Sequence, residues 1–312
     1  MSQTDSDFAS IKKSAMQYSD AWFNAVIIES LTHGMYTALF AVVLWRILSS
    51  TTINTRQVRI LAGISVFMYI MAIMHIALIW FYNRWAFITK GETEETRYFA
   101  FTNHMAAGYP AWALMIGDIA AGINILVADC VIIWRCWIIW ERNWRIIVLP
   151  CICTLCGMTF GILGVLQKLA PSNSSQKNLS KEDWVMAYYV MSLPTTAMCT
   201  ALIVYRLTKV SKTRNSPHFT PNPYHHVIEM VIESSGLYVV VLAIFIVFEA
   251  TNNPYGRYPA AVLQSVIGVT PALILLRVVS GNTTRWQMEC SETSVDDNDV
   301  MIIGPQKTVE VA

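Results

Sequence analysis

Seven long apolar stretches, separated by short polar segments, dominate the pattern of hydrophobic and polar positions along this chain. Each stretch reaches the roughly 20 residues that an α-helix needs to cross the hydrocarbon core of a bilayer. The pattern therefore predicts an all-α fold, a polytopic membrane protein built as a seven-transmembrane-helix bundle. The expected spans are residues 22–48, 58–82, 110–140, 146–169, 184–210, 224–249 and 259–279.

The same pattern predicts three regions. Residues 1–21 are polar and are expected to form an extracellular N-terminal segment, and residues 22–279 form the transmembrane domain. Residues 280–312 are polar and rich in acidic side chains, which favours a disordered cytoplasmic tail. The first residues lack a basic start followed by an apolar core, so we expect the first span, rather than a cleaved signal peptide, to begin insertion.

Composition supports a membrane environment. The chain is 54% hydrophobic and 14% charged, whereas soluble domains carry about 25% charged residues. We therefore expect the lipid bilayer to be the main partner. The formal net charge is only +1, and without a basic footprint no nucleic-acid partner is expected.

The distribution of Lys and Arg predicts the orientation. These residues are more frequent in the segments that face the cytoplasm if the N-terminus lies outside and the C-terminus inside. That arrangement places Asn173 and Asn178, both in glycosylation sequons, in one outer loop. The sequence thus predicts a multi-pass glycoprotein, most simply of the plasma membrane, with another secretory-pathway membrane as the alternative.

Several ionisable side chains fall within the outer halves of the predicted spans. An ionisable group in lipid is costly, so it should face the bundle interior or a wet cavity. The sequence therefore predicts an outward-facing cavity that binds a small molecule, and the alternative is a set of interhelical hydrogen bonds that holds the helices together. The cavity candidates are Glu29, His33, His75, Asp118 and Asp129.

A second polar layer is expected at the cytoplasmic ends of the helices. A bond from an arginine of the third span to a glutamate of the sixth would tie these helices together, and breaking it would open the inner face. The alternative is that the arginines only anchor helix ends at the interface. The candidates for this lock are Arg135, Glu229, Glu233, Arg206 and Arg277.

Two loops are candidates for contacts outside the bundle. The segment 83–109 is long and aromatic, and it could fold over the outer mouth as a lid or lie at the interface as an aromatic belt. The basic segment 209–223 contains no acidic residue, which suits a cytosolic signalling partner or anionic lipid headgroups.

Four segments resemble a family of orphan seven-helix membrane proteins of mushroom-forming fungi. They are residues 128–140 with the run ADCVIIWRCWIIW, 203–206 with IVYR, 231–238 with VIESSGLY, and 258–277 with Tyr258, Pro259, Gly268, Pro271 and Arg277. The likeness covers most of the chain from the first span to Gly281. It implies seven membrane helices, and it implies no catalytic residues.

These observations favour a receptor-like protein that senses a ligand outside and signals through its cytoplasmic face. The alternative is a transporter of a small molecule or ion. A membrane-embedded enzyme that modifies lipids is less favoured, because a metal-dependent version would need Glu29, His33, His75 and Asp118 to converge. We expect no catalytic residue, no cofactor and no bound metal.

Overall fold

A computed structural model describes the backbone at residues 2–49, 56–104, 106–169, 183–213, 223–251 and 253–276. It describes the side chains at residues 12–49, 58–104, 106–167, 184–206, 208–209, 235–251 and 253–276. The backbone in these ranges is almost entirely helical and contains no strand. The all-α prediction is therefore confirmed.

Eight α-helices account for most of the described residues. They are α1 Ser2–Ser49, α2 Arg56–Arg84, α3 Glu94–Thr102, α4 Ala111–Ile139, α5 Trp144–Leu169, α6 Asp183–Thr213, α7 Pro223–Ala250 and α8, residues 257–276. A π-helical turn, Trp85–Thr89, continues α2, and a 3-10 turn, Pro254–Gly256, precedes α8.

Six of these helices are long and apolar enough, by length and composition, to cross a membrane. The segments that meet this condition are Lys12–Ser49, Val58–Thr89, Ala111–Ile139, Trp144–Gln167, Trp184–Arg206 and Pro254–Leu276. Six of the seven predicted spans coincide with them. In α7, the part with described side chains is a shorter apolar helix, Ser235–Ala250.

Apolar side chains cover the outside of the bundle as well as its core. Leu31 and Met35 on α1 are 67% and 68% exposed, and Leu155 on α5 and Val247 on α7 are 58% and 61% exposed. Large apolar patches of this kind are rare on soluble monomers. A helix that is hydrophobic all round is typical of a membrane span, so these faces are suited to lipid contact.

The first helix is longer than predicted. The polar segment 1–21 does not form a separate element, since α1 runs without a break over 48 residues. At 1.5 Å per residue such a helix is about 72 Å long, more than twice the roughly 30 Å of a bilayer core. Its first part packs against α3, where Lys12 Nζ lies 3.6 Å from Glu94 Oε2.

Small residues let the helices approach closely at two places. Gly157 and Gly161 face α6, and a Cβ at Gly157 would lie 3.2 Å from both Tyr188 and Met191. On α8, a Cβ at Gly268 would lie 2.5 Å from Cζ of Tyr36, whose side chain is fully buried. Small residues at such contacts allow tight van der Waals packing between membrane helices.

The two ends of the bundle differ. We call the end that carries α3, the π-helical turn and the 3-10 turn the cap end, and the end that carries residues 140–143, between α4 and α5, the turn end. Between them lies an apolar core that includes Met68, Ile125, Leu242 and Ile267, each at most 1% exposed.

Candidate functional site

A cavity of about 640 Å³ lies at the cap end of the bundle. Residues of α1, α2, α4, α6, α7 and α8 form its walls, and Phe101 and Thr102 of α3 contribute from the cap. Pockets that hold small ligands typically measure about 300–1,000 Å³ and combine apolar walls with a few polar groups. This cavity has the size and the mixed lining of a ligand site.

A buried acid and a histidine form a direct polar contact in the lining. Glu29 of α1 is 6% exposed, and its Oε1 lies 3.0 Å from Nδ1 of His75 on α2. The pair draws α1 and α2 together and presents a polar surface to the cavity. Because the carboxylate has two oxygens and several lone pairs, this contact leaves acceptor capacity for another donor.

Gln264 of α8 lines the same cavity as Glu29. Two contacts fix the register between α1 and α8: Arg257 lies over the ring of Trp22, and Ser265 Oγ donates to Thr32 Oγ1 at 3.0 Å. Interpolation between them places Gln264 opposite the turn of α1 that carries Glu29. Its Oε1 is buried and accepts no hydrogen bond within the described part of the chain.

Three charged groups line the cavity around Tyr189. Asp118 of α4, Glu249 of α7 and Arg257 of α8 all lie within electrostatic range of the Tyr189 hydroxyl. The guanidinium carbon of Arg257 lies 4.2 Å from the centre of the Trp22 ring, a distance typical of a cation–π contact. The one arginine of the lining is therefore already engaged with an aromatic ring.

Aromatic rings form the wall beneath the cap. The Trp22 ring centre lies 4.9 Å from that of Tyr82 and 5.4 Å from that of Phe101, and Tyr82 lies 4.9 Å from Tyr109. Burial raises the pKa of Tyr109, which precedes α4, to about 12. Its phenol is therefore protonated at neutral pH. Phe101, Thr102, His104 and Tyr109 of the segment 83–109 line the cavity. Whether this segment acts as a lid stays a prediction.

Three of the five predicted cavity residues line this cavity, namely Glu29, His75 and Asp118. His33 lies outside the lining, and its ring stacks on that of Tyr69 with centres 5.9 Å apart and an interplanar angle of 5°. Asp129 also lies outside it. Eleven residues, or about three helical turns, separate Asp129 from Asp118, so the two share a helix face at very different depths.

Asp129 belongs to a separate buried network between α4 and α6. It is 1% exposed, and it accepts hydrogen bonds from Ser192 Oγ at 2.8 Å and Thr196 Oγ1 at 3.0 Å. Ser192 also lies 3.2 Å from the hydroxyl of Tyr238 on α7. This arrangement matches the alternative considered for the polar residues, interhelical hydrogen bonding, because both carboxylate oxygens have donors from protein side chains.

At the turn end, Arg206 pairs with a residue that was not among the lock candidates. Its guanidinium binds the carboxylate of Glu141 and lies 5.5 Å from the centre of the Trp140 ring. Trp140 Nε1 in turn donates to the carbonyl of Leu202 at 3.2 Å. Glu141 and Arg142 have left-handed backbone angles, with φ of 54° and 64°, a conformation that costs non-glycine residues about 1 kcal/mol or more each.

The rest of the predicted lock lies largely outside the described residues. Arg135 is partly buried near the end of α4. The backbone of Glu229 and Glu233 belongs to α7, but their side chains are outside the described part, as is Arg277. The lock therefore stays a prediction.

Other sequence predictions also concern residues outside the described part of the chain. Asn173 and Asn178 lie outside the described residues, as do residues 214–222 of the proposed partner loop. Among the described residues, no three His, Cys, Asp or Glu side chains converge in a way that could hold a metal ion.

Sequence reasoning missed Glu249, Arg257 and Gln264. A signal was present on α8, where Arg257, Ala260, Ala261 and Gln264 recur at helical spacing and all line the cavity. The signal was hidden because α8 reads as a predominantly apolar span and Arg257 precedes its predicted start at residue 259.

Comparison of the chain with protein-family models, with curated proteins and with solved structures gives no match. The fold by itself defines the class, because the described residues are almost all helical and include six long apolar helices typical of a multi-pass membrane protein.

Proposed function

We propose that this chain is a receptor-like membrane protein, which binds a small molecule in the cap-end cavity and responds at the turn end. Seven helices cross the membrane in this proposal, with the N-terminus and the cap outside and the C-terminus in the cytoplasm. The observation that carries it is the 640 Å³ cavity, with Glu29, His75 and Asp118 in its lining.

The closed floor of the cavity favours a receptor over a transporter. One to two helical turns below the lining, Met68, Ile125, Leu242 and Ile267 pack into a core with almost no exposed surface. On the far side of this core, Asp129 has donors from α6 on both oxygens. A transport path through the bundle would need hydrated polar groups at this level. A receptor needs only a change in helix packing that extends from the cavity to the turn end.

A route for such a change exists along α6. Met186 and Tyr189 line the cavity, Ser192 and Thr196 bind Asp129, and Arg206 binds Glu141 at the turn end. One helix thus touches the ligand cavity, the central network and the turn. A small rotation or shift of α6 on ligand binding would reach the opposite face.

A cavity-filling substitution tests this proposal without a known ligand. Ala121 is buried in the cavity wall, so Ala121→Trp should mimic an occupant. Ala77 lies on the exposed face of α2, and Ala77→Trp is the matched control. We expect amide hydrogen exchange at residues 140–143 of the purified protein in lipid nanodiscs to change at least about threefold in Ala121→Trp only.

Two results would count against a receptor. If amide hydrogen exchange at residues 140–143 were unchanged in a folded Ala121→Trp variant, the cavity and the turn end would not be coupled. Uptake of a small solute into vesicles that contain the protein, at rates above protein-free vesicles, would favour the transporter instead. Membership of the fungal orphan family stays a prediction.

A further inference from the structure

The lining of the cap-end cavity specifies the charge of its ligand. Among the described residues, three carboxylates line it, Glu29, Asp118 and Glu249, against one guanidinium, Arg257. Carboxylates therefore outnumber guanidinium groups among the described lining residues, which favours a negative field. Low-dielectric walls concentrate such a field, which attracts cations and repels anions.

The hydrogen-bonding groups show the same bias. Gln264 Oε1 is buried and accepts no hydrogen bond within the described residues. Glu29 uses one oxygen on His75. A buried acceptor left unpaired is costly, because it has lost its hydrogen bonds to water. A ligand that brings N–H donors to this level would remove that cost.

The walls above this floor suit an apolar, aromatic body. Trp22, Tyr82 and Phe101 form a continuous cluster of rings beside the cavity. Arg257 already lies over one face of Trp22, which shows that this wall accommodates a planar cation against an aromatic ring. Aromatic rings bind cations through their negative faces and apolar groups through burial.

We propose that the cavity binds an organic amine, with its ammonium group between Glu29 and Gln264 and its apolar body against the rings of Trp22, Tyr82 and Phe101. This inference rests on the proposed ligand-binding function and narrows the ligand class. The ammonium donates to the free carboxylate oxygen of Glu29 and to Gln264 Oε1. Neutral and anionic molecules of the same shape bind more weakly because they leave these acceptors unpaired or oppose the negative field.

A matched ligand series tests the proposal on the full chain in lipid nanodiscs. The probes are phenylbutylamine, phenylbutanol, phenylbutyrate and phenylbutyltrimethylammonium, measured by thermal shift and by isothermal titration. We expect the amine to bind at least about tenfold more tightly than the alcohol and the acid. The affinity of the quaternary ammonium should lie below that of the amine and above those of the alcohol and the acid, because it has the charge but no N–H donor.

Two substitutions locate the site. Gln264→Leu should reduce the advantage of the amine over the quaternary ammonium, whereas Gln167→Leu, at a glutamine of α5 outside the lining, should not. Glu29→Gln should abolish the advantage of the amine over the alcohol, and the exposed Glu95→Gln should retain it. If Glu29→Gln fails to fold, the ligand series on the unaltered chain and the Gln264→Leu variant still test the amine proposal.

Equal or tighter binding of the alcohol or the acid would overturn the amine proposal and leave a ligand-binding cavity in place. Equal affinity of the quaternary ammonium would overturn the role of Gln264. Binding of none of the four probes would overturn the amine class. In every case the receptor proposal is judged separately, by hydrogen exchange in Ala121→Trp.

Discussion

Two buried acids, Glu29 and Asp129, occupy very different surroundings in the same bundle. Asp129 lies in the middle, where hydroxyls from Ser192 and Thr196 donate to it, and it is outside the lining of the cap-end cavity. Glu29 lines a cavity and has one side-chain partner, His75. The contrast shows that an acid in a membrane helix is not by itself a ligand site. Empty space and unused acceptors beside it distinguish a binding group from one that holds helices together.

The largest effect on stability is expected at the central network. Asp129→Ala removes the acceptor to which the hydroxyls of Ser192 and Thr196 donate, and we expect the free energy of unfolding to fall by about 3 kcal/mol. Asp129→Asn keeps an acceptor oxygen and should lose about half as much. Unfolding of the purified protein in mixed detergent measures both. A loss below that of Glu29→Ala would reverse the comparison.

The packing between α1 and α8, just below the cavity, should be nearly as sensitive. Gly268→Ala places a Cβ 2.5 Å from the buried ring of Tyr36, and overpacking of this kind costs about 1–3 kcal/mol. The same unfolding assay should show a loss of about 2 kcal/mol, and Tyr36→Leu in the same chain should restore part of it. A fully additive double variant would mean that the two residues do not press on each other.

Substitution of a cavity residue should lower the free energy of unfolding less than substitution in the central network, and it should reduce ligand binding more. Glu29→Ala removes the contact with His75, but water can enter the cavity and solvate the imidazole, so we expect a loss of about 1 kcal/mol. Thermal unfolding with and without phenylbutylamine separates the two effects. We expect the shift caused by the amine to disappear in Glu29→Ala and to persist in Asp129→Asn. The reverse pattern would place the ligand at the central network.

The smallest effect is expected at the turn end. The Glu141 side chain is 80% exposed, and exposed ion pairs contribute about 0–1 kcal/mol. Glu141→Gln should therefore change the free energy of unfolding by about 0.5 kcal/mol or less. Its influence should appear in dynamics, as faster amide exchange at residues 140–143. Slower exchange than in the unaltered chain would contradict a restraining role for the Arg206–Glu141 pair.

Much of the fold follows from one solvation rule, because a long apolar stretch in lipid must satisfy its backbone within a helix. The rule also identified Glu29, His75 and Asp118 as side chains that need a polar environment. It could not separate Asp129 from them. That distinction depends on Ser192 and Thr196, two ordinary hydroxyl residues 63 and 67 positions away in the chain.

The partner of Arg206 was hidden for a similar reason. The sequence made Arg206 a candidate for a long-range pair with a glutamate of the sixth span, with anchoring at the interface as the alternative. In the structure Glu141 reaches Arg206, because the turn after α4 holds two residues in left-handed conformation. The turn has no glycine or proline at these positions, so the sequence does not predict its left-handed conformation. Helix periodicity predicts which residues share a face, and it leaves the neighbouring helix and the depth of contact open.

Cysteine labelling from outside the cell tests the central claim, an outward-facing cavity above a closed core. Gly117 lines the cavity, and an added Cβ there would meet only Leu78, at an ordinary distance of 3.8 Å. Ala120, on the same helix, is fully buried. With an impermeant maleimide and the unaltered chain as background, we predict that Gly117→Cys reacts at least about tenfold faster than Ala120→Cys. Equal rates, or reaction of Gly117→Cys only from the cytoplasmic side, would contradict the account.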